Sequence, residues 1–390
     1  MKYGLFIHYG IYSFWEGRYQ GEDCPFYSEW IQHSFSIPSQ EYIRPAQGLG
    51  PEKFDAKSFV LWAKNQGFDY LVITAKHHDG FCLFSSHHSQ YNGQKFWGRD
   101  LIGELSEACK EVFLPLGLYY SQAQDWYHGG LRAYDESRGG DFDEYFKRIC
   151  LPQLKELLTN YGQIELLWFD TPMSMKKEQI AQVRSLVKSL QPSCLVSGRI
   201  GKGFEDYLVT GDNMLPSSFY TKDWEMPMSL TDSWGYKKND ILKPKEDVLR
   251  TIARAFSRGG RVLLNIGPQG DFSLPAQGKI LLERMKEPVV ALIKAMEKAE
   301  FVFYPYEDDN LFLLKDKKTL YLFISDERNF LGLYNLTSKV KEVTFKDEKI
   351  AFVQKRTLEG DPYLGIELGK KAPCLLKVSA FDEIAFLPFG

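Results

Sequence analysis

Cysteine is sparse and unpaired. Cys24, Cys82, Cys109, Cys150, Cys194 and Cys374 are scattered over 390 residues, with no C-x-x-C pair among them. That spacing excludes a zinc ribbon and a disulfide-dense scaffold. Cys109 and Cys150 fall in apolar helical patterns and read as buried free thiols. Long hydrophobic runs are also missing. No stretch approaches the ~18 apolar residues of a spanning helix, so no membrane partner is expected. The opening Met1-Lys2-Tyr3-Gly4-Leu5-Phe6-Ile7-His8 lacks the apolar core and small-residue cleavage site of a leader. The expected location is cytoplasmic for the chain as given, or secreted or periplasmic if a leader has been removed. Neither charge sign dominates. Lys and Arg number 48 against 51 Asp and Glu, a net charge of −3, which leaves no basic surface for nucleic acid. No G-x-G-x-x-G follows the first strand-like run and no G-K-[ST] follows any glycine pair. Gly259-Gly260 and Gly267-Pro268-Gln269-Gly270 therefore read as turns, and no cofactor is expected.

What the chain does have is rings. Its 8 Trp, 22 Tyr and 28 Phe make 15% of the residues. Aromatic side chains pack cores and also stack on planar or ring-shaped ligands. The length and a 44% hydrophobic content suffice for a large core without staples.

Short, nearly continuous apolar runs alternate with helical patterns. The runs are Tyr3 to His8, Tyr70 to Thr74, Leu116 to Ser121, Ile164 to Asp170, Leu195 to Arg199 and Val262 to Ile266. Strands that are apolar on both sides belong to parallel sheets covered on both faces. Leu101, Ile102, Leu105, Ala108, Cys109 and Val112 lie on one helical face, and Val248, Leu249, Ile252, Ala255 and Phe256 repeat the pattern. Residues 143–160 and 176–190 are also helix-like. Repeated strand–helix units give an α/β fold, read as a (β/α)8 TIM-like barrel over residues 1–299 with irregular later units. An open doubly wound sheet is the alternative. Beyond residue 300 the runs shorten and turn signals such as Lys315-Asp316 and Glu359-Gly360-Asp361 intervene. Residues 300–390 read as a C-terminal antiparallel β-sandwich.

Reactive side chains gather where the strand runs end. Asp170 closes Leu166-Leu167-Trp168-Phe169, and reads either as a site carboxylate or as a helix cap. His77-His78 follow the second run and His8 the first. Adjacent strand residues point opposite ways and rarely chelate one ion, so these imidazoles read as hydrogen-bonding groups and no metal site is expected. Glu225, in Trp224-Glu225-Met226, is either a desolvated general acid or a loop acid. Arg199 is a partner for a carboxylate or for a substrate hydroxyl, and Glu29-Trp30 is an acid–aromatic pair in a loop. Two carboxylates, imidazoles and aromatics on one barrel face suit glycoside hydrolysis, in which one acid protonates the leaving oxygen and the other attacks the anomeric carbon.

Several segments occur together and in order. They are KYGLFIHYGIYS at 2–13, SEWI at 28–31, FDAKSFVLWAKNQGFDYLVITAKHHDGFCLF at 54–84 and RDLIGELSEACKE at 99–111. LGLYYS at 116–121, LLWFD at 166–170, WEMPMSLTDSWGY at 224–236 and GGRVLLNIGPQGDF at 259–272 follow. On these the chain resembles the α-L-fucosidases of glycoside hydrolase family 29. The resemblance implies a retaining, double-displacement exo-α-L-fucosidase acting on a fucosylated oligosaccharide or glycoconjugate. It makes Asp170 the nucleophile and Glu225 the acid/base, with Glu29 the second candidate, at a carboxyl separation of about 5–5.5 Å. It makes His8, Glu29, Trp30, His77, His78, Tyr119, Trp168, Arg199 and Trp234 substrate-binding. His8-Tyr9-Gly10 and Glu29-Trp30-Ile31 replace the HWG and EWY common in the family, and rim residues 14–50 and 125–142 are expected to set the aglycone preference. The alternatives are a catalytically silent fucose binder and an enzyme for a related sugar such as an α-L-galactoside. An oligomer stays open.

Overall fold

Strand β1, Tyr3–Ile7, is buried at all five positions and is flanked by parallel strands on both sides. The computed structural model describes residues 1–133, 140–217, 220–305, 308–369 and 374–387. Its main sheet adds β2 (Tyr70–Lys76), β3 (Leu116–Tyr120), β4 (Leu166–Phe169), β5 (Leu195–Val196), β6 (Leu208–Val209), β7 (Trp224–Ser229) and β8 (Arg261–Ile266). All pairings are parallel, in the order β5-β4-β3-β2-β1-β8-β7-β6. This is the strand order of a (β/α)8 barrel, curled, with its ladder open at the β5/β6 seam. Asp206 spans that seam: its N–H donates to the Val196 carbonyl and its carboxylate accepts the Val196 N–H, each at 2.9 Å.

The sequence pattern and the structure agree closely on the early units. Helix α1 is Ala56–Asn65 and α2 is Leu101–Val112; the six apolar positions expected of α2 are its buried face. Asp55 and Asp100 cap the two helices by accepting the Ser58 and Gly103 N–H groups. Helix α3, Leu151–Asn160, follows β3 after a π-turn at Phe146–Cys150, and α4, Lys177–Leu190, follows β4. The later units are irregular, since β5 is followed only by a short 3-10 turn at Gly198–Ile200. Two barrel strands escaped the pattern. Strand β6 is too short to show a period, and Pro227 within β7 argues against a central strand from sequence alone.

Compactness divides the chain elsewhere than at the expected boundary of residues 299 and 300. One unit comprises Met1–Leu242 with Gly259–Ile280, and the other Lys243–Arg258 with Leu281–Gly390. Helix α5, Lys245–Ser257, falls in the second unit, where Arg254 pairs with Asp309 and Arg250 donates to Asn310 at 3.1 Å. The second unit also carries two antiparallel sheets. The larger runs from Glu300–Val302 through Leu311–Asp316, Thr319–Ile324, Cys374–Ala380 and Val340–Phe345 to Glu348–Ile350. The smaller orders Phe330–Tyr334, Pro362–Glu367 and Phe352–Arg356. Leu313, Leu322 and Leu376 of one sheet share a core with Leu331, Leu333 and Leu364 of the other, which makes this region a β-sandwich. No described helix is long and apolar enough to cross a membrane.

Candidate active site

The barrel interior is filled by Phe6, Tyr70, Val72, Tyr119, Leu166, Trp168 and Leu263, with Trp234 above them. Just past the carboxyl ends of the strands, a cavity of about 930 Å³ opens. Barrels of this kind place their chemistry on that face, because every strand–helix loop converges there. His8 follows β1, His77 and His78 follow β2, Asp170 follows β4, Arg199 lies in the turn after β5, and Trp234 lies in the loop after β7. All of them line the cavity, as do Glu29, Trp30 and Trp168. Tyr119 lies behind this wall and donates its phenol to Asp170 Oδ2 at 2.8 Å. Of the expected rim residues, 134–139 lie outside the described residues.

Asp170 is no helix cap. Its Oδ1 accepts the Thr171 N–H at 2.8 Å and Arg199 Nη1 at 3.2 Å. Burial is the largest single influence and raises its pKa, but Arg199, His78, the Thr171 amide and the Tyr119 phenol together outweigh it. The carboxyl is held well below its ordinary range and stays ionised. The Arg199 guanidinium lies 4.9 Å over the Trp168 ring, and its other nitrogen pairs with Asp212. One guanidinium therefore grips two carboxylates, Asp170 and Asp212, both on the cavity wall.

The imidazoles are neutral donors and acceptors. Asn265 spends its Nδ2 hydrogens on the Trp234 carbonyl (2.8 Å) and Ser229 Oγ (3.1 Å), so its Oδ1 must accept from His8 Nδ1 at 2.7 Å. His8 Nε2 is left as an acceptor. Ser121 gives its hydroxyl hydrogen to the Gln124 carbonyl, so His78 Nδ1 donates to Ser121 Oγ at 2.6 Å. Burial pulls His8 down to about 3 and His78 to about 4, although Asp170 pushes both the other way. His77 is stacked 5.2 Å from Tyr119, and its buried Nδ1 has no hydrogen-bond partner among the described residues. Among those residues, no group of three His, Cys, Asp or Glu side chains is arranged to hold a metal.

Glu225 sits apart from these residues. It does not line the cavity. It is the second residue of β7, fully buried, and points into the barrel rather than past a strand end. Tyr70 donates to it at 2.6 Å and the Trp168 indole at 2.9 Å. Tyr70 can reach across because β1 carries Gly4, where a Cβ would sit 2.3 Å from the Tyr70 ring. Burial raises the Glu225 pKa, and Tyr70, Trp168 and Tyr207 close the carboxyl in. The carboxylate anchors the Trp168 ring on which Arg199 lies.

Glu29 faces the cavity but at its closed side, only 1% exposed, with Oε2 accepting the Gly235 N–H at 2.9 Å. Burial pushes it up to about 8, so it carries its proton at neutral pH. The folded state therefore holds a proton that the unfolded chain releases above about 4.5. Glu29 stabilises the fold fully below that value and loses this contribution as pH rises toward 8. The buried histidines act oppositely but only below their ordinary 6.5. Glu29→Gln should thus gain stability relative to wild type between pH 6.5 and 8, read as a rising difference in denaturation midpoint. An unchanged difference would show Glu29 ionised.

Sequence reasoning missed Asp212 altogether. It follows the two-residue strand β6 in Thr210-Gly211-Asp212-Asn213, where nothing periodic marks it. The only available signal was its place after a strand end. Phe26, Tyr27 and His33, within the expected rim segment 14–50, also line the cavity, as do Gln124 and Met173, which were not anticipated.

An eight-stranded barrel with carboxyls, neutral imidazoles and aromatic walls at its carboxyl-end mouth is the construction of a glycoside hydrolase. The comparisons narrow that class. The family model described as Alpha-L-fucosidase matches residues 1–287, and the chain belongs to that family. It is 30% identical to the plasma alpha-L-fucosidase of Homo sapiens over 73% of this chain and 65% of that protein. It is 28% identical to a putative alpha-L-fucosidase of Caenorhabditis elegans over 73% of this chain and 62% of the relative. The chain thus spans under two thirds of the length of these curated relatives. Among solved structures, the alpha-L-fucosidase from Vibrio sp. strain EJY3 superposes with a TM-score of 0.82 at 27% identity, covering 100% of this chain and 73% of that one. AlfC from Lactobacillus casei, solved with an alpha-L-fucose product, gives 0.69 at 36% identity over 75% of this chain and 96% of its own.

Proposed function

We propose that this chain is an exo-acting α-L-fucosidase that hydrolyses terminal fucosyl residues with retention, through a covalent fucosyl–enzyme on Asp170. The observation that carries the reading is the pair of carboxylates, Asp170 and Asp212, held on one guanidinium at the cavity mouth. A shared guanidinium keeps the two groups within its own span plus two hydrogen bonds. That limit accommodates the carboxyl spacing of retaining enzymes, about 5–5.5 Å. Membership of the alpha-L-fucosidase family supplies the sugar. AlfC has been captured with 4-nitrophenyl-α-L-fucopyranoside and with Fucα(1,6)GlcNAc, which favours fucosides as substrates here.

Asp170, kept ionised by Arg199, attacks C1 of the fucosyl ring. The C1–O glycosidic bond breaks and its electron pair leaves with the aglycone oxygen, which takes the proton of Asp212 in its carboxylic-acid form, leaving a carboxylate paired with Arg199. Water then attacks C1, gives its proton to Asp212, and the ester bond to Asp170 breaks. Asp212 takes the acid/base role because its side chain is 33% exposed, on the side where the aglycone departs and water enters. Glu29 and Glu225 are closed off from that side. In an exo enzyme the terminal sugar fills the closed end, where His8 Nε2 and His77 Nδ1 offer positions for its hydroxyls. Phe6, Trp30, Trp168 and Trp234 present an apolar wall for the C5 methyl.

The first-formed product decides between stereochemical courses. Proton NMR during early hydrolysis of an aryl α-L-fucoside should show α-L-fucose before mutarotation. First appearance of the β-anomer would rule out the double displacement.

A further inference from the structure

Two rings at the cavity edge are left over by fucose recognition. Phe26 and Tyr27 both line the cavity, yet Phe26 is 72% exposed and Tyr27 39%. A lone exposed ring is ordinary. Two in sequence, on a fixed backbone beside an acid-lined cavity, are a surface built for something. The backbone is pinned at both ends. Cys24 donates its N–H to the Gly17 carbonyl at 2.7 Å, and its own carbonyl accepts Lys237 Nζ at 2.9 Å. The Tyr27 carbonyl accepts the Trp30 N–H at 3.0 Å, and Ser28 donates its N–H to Ser233 Oγ at 3.2 Å. Ser233 and Lys237 flank Trp234, so the same segment carries the cavity wall and anchors the two rings. Tyr27 and Asp212 both line the cavity.

Charge restricts what could lie there. Among the described lining residues the only guanidinium or ammonium group is Arg199, and it is engaged by Asp170 and Asp212. Three carboxyl groups, Glu29, Asp170 and Asp212, share the cavity. An anionic aglycone has no cation to meet it, whereas the C–H face of a neutral pyranose is suited to lie on an aromatic ring.

We propose that Phe26 and Tyr27 form a stacking subsite for a neutral pyranose, the ring joined to fucose through the bond being broken. The proposal deepens the fucosidase reading and rests on it. The ring is bound before cleavage and released afterwards, so this subsite, and not the fucose pocket, sets which fucosides are preferred. Truncating Phe26 removes an exposed ring, which leaves the core intact.

The test compares two substrates of the full chain. One is a fucosyl-N-acetylglucosamine disaccharide. The other is α-L-fucosyl fluoride, which places no ring beyond the scissile bond. In Phe26→Ala/Tyr27→Ala, the ratio of kcat/KM for the disaccharide to that for the fluoride should fall about tenfold, the scale of one or two ring contacts. Phe26→Trp should keep the ratio near wild type. A ratio unchanged in the double variant overturns the subsite, as does a wild type that prefers a disaccharide sulfated on its N-acetylglucosamine. If wild type turns over neither substrate, the fucosidase reading itself fails, a result distinct from turnover with an unchanged ratio.

Discussion

Asp170→Ala should lower kcat on an aryl α-L-fucoside by about 10⁴-fold or more, the scale on which removal of a covalent nucleophile is felt. The side chain accepts from Thr171, Tyr119 and Arg199, and no neighbour can replace its attack on C1. The fold should survive, because the lost carboxylate is only partly buried and Arg199 keeps Asp212. Added azide should restore part of the turnover, since a small anion fits where the carboxylate was. The fucosyl azide formed should be the β-anomer, because attack then occurs once and not twice. Turnover near wild type without azide would remove Asp170 from the reaction.

The second large effect is expected at Asp212, and its signature is dependence on the leaving group. Asp212→Ala should cost about 10²–10⁴-fold on a fucosyl disaccharide, whose alkoxide must be protonated as it leaves. With a 2,4-dinitrophenyl fucoside, which needs no proton to depart, formation of the fucosyl–enzyme should be nearly unaffected and its hydrolysis should become limiting. Glu225→Gln is the control. Its carboxylate is enclosed by Tyr70, Trp168 and Tyr207, so any loss it causes should be similar for both leaving groups. Leaving-group dependence at Glu225 and none at Asp212 would exchange the two assignments.

The contrast between these acids shows where the sequence was readable. Strands β1 to β4 are buried on both faces, so their composition alone marks them, and the residues just beyond them, His8, His77, His78 and Asp170, fall at the barrel mouth. Helix α2 was legible because six apolar positions share one face. The second half of the barrel was legible only in part: β5 and β8 fall in the runs Leu195 to Arg199 and Val262 to Ile266. Strand β6 has two residues, below the length at which a period exists, so Asp212 carried no mark of its position. Glu225 lies away from that mouth for a different reason. Its aromatic neighbours were a true sign of burial, but burial within a strand buries the acid under the site, and one position along a strand decides between the two. The division into units was hidden for a third reason. Helix α5 reads as a barrel helix from its apolar face, while Arg250 and Arg254, on its polar side, tie it to Asn310 and Asp309.

All of the proposed chemistry depends on a bond between C1 of fucose and Asp170. Incubation with 2-deoxy-2-fluoro-L-fucosyl fluoride should slow release of the sugar enough to trap that bond, and peptide mass mapping then locates it. The account predicts a single fluorofucosyl adduct on the peptide containing Leu166-Leu167-Trp168-Phe169-Asp170. An adduct on Asp212, Glu29 or Glu225, or turnover to β-fucose with no adduct at all, would contradict it.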